Sequence, residues 1–135
     1  MGVTGVAVNV NRTVYDLVEI IDRGKKVLLI DLECEYSGDL SRCCDNLRVL
    51  NPVPDELLDI LKDCNGTEEE VVIINRIDSF CDSVCDLQKR LNLAWGISYQ
   101  KKSVYITVGY TYKSGDREVR HKNQIERMCS IKTLE

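Results

Sequence analysis

Chemistry in this chain would have to come from a few residue types, and the first are the glycines near its start. A loop that cradles phosphates needs glycines for close backbone approach, a Lys for the phosphates, and a Ser or Thr on magnesium. The stretch GVTGVAVN (2–9) precedes a helical pattern, where such a loop belongs, and Gly2 and Gly5 suit it. Val8 stands where the Lys is required, and Asn9 where the hydroxyl is required. In many ATP-binding α/β proteins a later apolar strand ends in an Asp that holds magnesium through water. Here VVIIN (71–75) ends in Asn75. Loss of the Lys removes a fixed positive charge, and an Asn amide brings no formal charge toward a dication. Gly2, Gly5, Val8, Asn9 and Asn75 therefore read as a degenerate nucleotide site, and no ATP hydrolysis is expected.

Other chemistries have less to work with. The one histidine, His121, sits in a polar stretch, and no Ser stands on a strand-to-helix elbow. Structural zinc prefers paired C-x(2–4)-C turns. Cys81 and Cys85 fit that spacing but fall on an expected helix, and Cys43 and Cys44 are adjacent, so no second well-spaced pair exists. No catalytic residue and no metal site are expected. The cysteines read as thiols behaving like small apolar side chains. An enzyme working through Cys or zinc with His121 is a minor alternative, and weak nucleotide binding without hydrolysis is another.

Composition sets the frame. With 135 residues, 44% hydrophobic and 30% charged, the chain suits one domain, 1–135, with a core of its own. No apolar run approaches the roughly 20 residues that span a bilayer, and MGVTGVAVNV lacks the flank and core of a signal peptide. Myristoylation of Gly2 would require a hydroxyl residue at Val6. Seven cysteines without a secretion signal read as reduced thiols of an intracellular protein, so the glycosylation-type triplets at Asn11 and Asn65 carry no weight. Charge divides the chain. Residues 1–88 hold 8 Lys/Arg against 18 Asp/Glu, and residues 89–135 hold 10 against 4. A basic C-terminal third suggests an anionic partner, with Lys101, Lys102, Arg117, Arg120 and Lys122 as candidate phosphate contacts. The same charge would also suit a self-solvating edge hairpin.

Several elements must position these residues. VTGVAVNV (3–10) is strand-like, and NRTVYDLVEIIDRG carries Val14, Leu17, Val18 and Ile21 at helical spacing before Gly24. KKVLLIDLE (25–33) and VVIIN read as buried strands, with a short strand LRVL (47–50) between them. NPVPDELLDILKDCNG reads as a helix opened by Pro54, Asp55 and Glu56 and stopped at Gly66. A helix is expected over 77–91, with Ile77, Phe80, Val84, Leu87 and Leu91 on one face. AWGISY, SVYITVGYTY and REVRHKNQIERMCSI then look like strands, with KSGD (113–116) as a turn. The expected fold is α/β, with a mainly parallel sheet flanked by helices, parallel early and antiparallel late, and a C-terminal antiparallel hairpin.

The order of these stretches resembles the RecA-fold recombinases. GKKVLLIDLECEYSGDLSR looks like the segment after their phosphate loop, where a strand ending in Asp-x-Glu precedes a loop and helix. NLRVLNPVPDELLDIL is similar to their next strand and helix, VVIINRIDSF to the magnesium-binding strand, and LNLAWGISYQKKSVYITVGY to a late segment of eukaryotic recombinase paralogues. The resemblance places Asn75 at the metal Asp and Glu33 near a catalytic Glu. Only 19 residues separate Asn75 from Trp95, scarcely room for the recombinases' further strand and DNA-binding loops. It implies a RecA-like core domain and a non-catalytic paralogue in the nucleus. Such a subunit would pair with another RecA-fold protein to assist recombinase filaments on single-stranded DNA in homologous recombination repair. It would carry no cofactor of its own, with ATP held only at an interface with the partner, and it would need no membrane. The alternative is a RecA-fold scaffold subunit of an Elongator-like tRNA-modification complex.

Overall fold

VLLID and VVIIN are apolar up to a final polar residue, the pattern of strands covered on both faces. In the computed structural model every residue of both is buried. The structure describes residues 3–8, 24–34, 46–81, 83–98, 102–108, 110–113, 116–119 and 130–134, with side chains over 24–34, 46–64, 66–81, 83–98 and 102–108.

In chain order the strands are β1 (Val3–Val8), β2 (Val27–Asp31), β3 (Leu47–Leu50), β4 (Val71–Asn75), β5 (Ser103–Val108), β6 (Tyr110–Lys113), β7 (Asp116–Val119) and β8 (Ser130–Leu134). Helix α1 (Leu57–Asp63) lies between β3 and β4, and helix α2 (Val84–Ser98) between β4 and β5. Six strands form a parallel sheet in the order β3-β2-β4-β5-β1-β8. Strands β6 and β7 pair antiparallel, apart from that sheet. The architecture is α/β.

Pro54 and the acidic pair Asp55 and Glu56 form a 3-10 turn that runs into α1, and Cys64–Gly66 close it with another. Proline suits a first turn because its missing N–H has no acceptor there in any case. Leu57 and Leu61 of α1, with Leu87, Leu91, Ala94 and Ile97 of α2, cover one face of the sheet. They meet Leu28, Ile30, Val72, Ile74, Val104 and Ile106, residues that share that face by register.

Three expectations are corrected. AWGISY is not a strand: its residues belong to α2, because Leu87, Leu91, Ala94 and Ile97 continue one helical stripe into the core. The helix expected from residue 77 begins at Val84. Residues 76–80 turn instead, with Arg76 and Phe80 at positive φ (56° and 57°). The late part of the sheet is parallel rather than antiparallel, since the α2 crossover returns the chain to begin β5 alongside β4. Strand β8 likewise runs parallel to β1. The expected helix after residue 10, residues 35–45 and residues 120–129 lie outside the described residues.

The amino ends of the strands are held by paired charges. Lys102 is buried, and its ammonium donates to the carbonyl of Thr67 at 2.8 Å and to that of Glu69. Lys26 pairs with Glu68 at 3.0 Å, and Arg48 Nε donates to Glu69 Oε1. The Arg48 bond holds the Glu69 carboxyl below its ordinary range.

Candidate functional site

Parallel sheets bind ligands outside the carboxyl ends of their strands, where neighbouring strands send their connections in opposite directions. Here that place lies between β2 and β4. The chain leaving β2 continues to β3 on one side, and the chain leaving β4 continues to β5 on the other. The strand ends at this point are Asp31 and Asn75, paired in register.

A polar row crosses this end of the sheet. Asp31, Asn75 and Thr107 are all buried, at 0%, 2% and 0% exposure. Asn75 Nδ2 donates to Asp31 Oδ1 at 3.2 Å, and the Thr107 hydroxyl donates to Asn75 Oδ1 at 2.7 Å. A carboxylate only accepts, so the amide nitrogen must face Asp31 and the amide orientation follows. Thr107 Oγ1 in turn accepts from the Arg76 backbone N–H at 2.7 Å. Each side-chain end of Asn75 is spent inside the protein.

The turn after β4 is tied down around this row. The Ile77 N–H donates to the Thr107 carbonyl at 3.2 Å, and the Ser79 N–H to that of Arg76 at 2.8 Å. Arg90 is buried in α2 and sends Nη1 to the carbonyls of Ile77, at 2.9 Å, and Ser79. The Ser79 hydroxyl donates to Glu33 Oε1 at 2.6 Å, joining the segments that follow β2 and β4. Cys34 after β2, like Arg76 and Phe80 after β4, has a left-handed φ (55°). Side chains enter that region at a cost, so three such residues at one end of a sheet mark where the backbone is forced.

The residues singled out from sequence are dispersed. Gly5 and Val8 lie within β1, opposite Ile131 and Leu134 of β8. Residues 3–8 therefore form an interior strand, where a phosphate loop was sought across 2–9. The β-branched alternation of this stretch, and ladders to both β5 and β8, account for the difference. Of the three described residues among the five, Asn75 alone reaches the polar row, and Gly2 and Asn9 lie outside the described residues. Lys102 is corrected: its ammonium is bound to carbonyls and is not presented to a phosphate. Arg117 lies on β7 opposite Tyr112. Lys101, Arg120, Lys122, His121, Cys43 and Cys44 lie outside the described residues.

Among the described cysteines, Cys85 lies in α2 and is exposed, while Cys81 precedes the helix and is partly buried. Burial pushes the Cys64 thiol up to about 11, so it stays a protonated, unreactive group. No cluster of three or more metal-ligating side chains occurs among the described residues. Asp31, Thr107, Ser79 and Arg90 were not singled out from sequence. Asp31 carried a local signal, as the polar end of an apolar strand. Thr107 carried none, because only the register of β4 with β5 brings it to Asn75.

A cavity of about 420 Å³ opens at the opposite, amino end of the sheet, beside Lys26, Arg48, Glu68 and Glu69. Its charges are already paired with one another. No protein-family model matches the chain, and no curated protein matches it.

Proposed function

We propose that the protein is a non-catalytic RecA-like subunit, a recombinase paralogue that pairs with another RecA-fold protein. In this reading it assists recombinase filaments on single-stranded DNA during homologous recombination repair in the nucleus. One observation carries the reading: the Asp31–Asn75–Thr107 row. At the strand end where an ATP-binding sheet would hold its metal through an Asp, this chain has an amide whose nitrogen and oxygen are both committed to internal partners. A sheet that keeps the strand and closes the site retains a scaffold without the chemistry. Val8 inside β1 adds to this, since no Lys is offered there. The basic residues left for DNA are Lys101, Arg117, Arg120 and Lys122, with ATP held only at an interface with the partner.

The test is affinity purification of the tagged protein from its native cells, with mass spectrometry of co-eluting proteins. A recombinase or recombinase paralogue in near-equal amount is expected. RecA-fold subunits of a tRNA-modifying complex would move the function to an Elongator-like scaffold, and the lack of any stoichiometric partner would sink both. In parallel, millimolar ATP with magnesium should leave the melting temperature of the isolated chain unchanged. Ligand at about 100 times its Kd would stabilise by about 2.7 kcal/mol and be readily seen.

A further inference from the structure

We draw no further inference here: the strongest candidate, the cavity at the amino end of the sheet beside Lys26, Arg48, Glu68 and Glu69, carries nothing, because its charges are paired with one another and Glu69 Oε2, buried without a hydrogen-bond partner, is enclosed where no ligand atom reaches it.

Discussion

Asn75 cannot be exchanged for Asp at no cost. Its amide nitrogen lies 3.2 Å from Asp31 Oδ1, so the substitution would set two carboxyl groups against each other where both are buried. Two such groups cannot both ionise, and one pKa rises above its unfolded value. Stability gained by holding that proton is present at low pH and lost as pH rises through the raised pKa. Asn75→Asp should therefore lose about 1–3 kcal/mol near neutral pH, with the deficit shrinking in thermal melts below about pH 5. Recovery of the variant by millimolar magnesium would mean that a metal site is still latent there. Glu69 behaves in the opposite sense. Its folded pKa is depressed, chiefly by the Arg48 hydrogen bond, so its contribution is present above the unfolded pKa and fades as pH falls through the folded one. Glu69→Gln should flatten the acid side of the stability–pH curve, read from denaturant midpoints below about pH 5. The effect is moderated because the Arg48 side chain is half-exposed.

Helix α2 shows how far local pattern reaches. Leu87, Leu91, Ala94 and Ile97 share a face at helical spacing and are all buried against the sheet. Leu91→Ala should cost about 2–5 kcal/mol, seen as an earlier urea midpoint with little change in slope. This stripe was legible as far as Leu91. Beyond it, Ala-Trp-Gly-Ile-Ser-Tyr offers aromatic and β-branched residues that suit a strand equally well, and tertiary packing decided for the helix. The start of the helix was not legible either. Ile77 and Phe80 fit the helical face on paper, but the N–H groups of Arg76 and Ile77 are drawn to Thr107 on the neighbouring strand. That competition belongs to the sheet, since β5 lies nearly thirty residues downstream in a register that no local window contains. Strands β2 and β4 were readable because their apolar runs are too short for an ordinary helix and end in a polar residue.

At the scale of the molecule, charge is the broadest signal and the least specific. The basic C-terminal third suggested phosphate contacts, yet Lys102 is turned inward to bind the carbonyls of Thr67 and Glu69. Lys102→Met should lower the melting temperature by several degrees, because one buried and one partly buried carbonyl lose a charged donor. It should leave the salt dependence of any DNA binding unchanged. Arg117→Ala should do the reverse, reducing the slope of log K against log salt by about 1 if Arg117 meets a phosphate. Fluorescence anisotropy with a single-stranded oligonucleotide across a salt series reads both.

By itself the sequence determined the α/β character, most of the interior strands, the proline-led α1 and the absence of a charged group at position 75. These follow from which residues avoid water and which backbones they favour, and such preferences act within a few neighbours. Tertiary structure alone decided that β1 is an interior strand, that the late part of the sheet is parallel, and that Asp31, Asn75 and Thr107 form one buried row. It also turned Lys102 inward and Phe80 outward. Hydrogen-bond partners in a parallel sheet come from distant parts of the chain, so whether a polar side chain is spent or available is settled only when the strands meet.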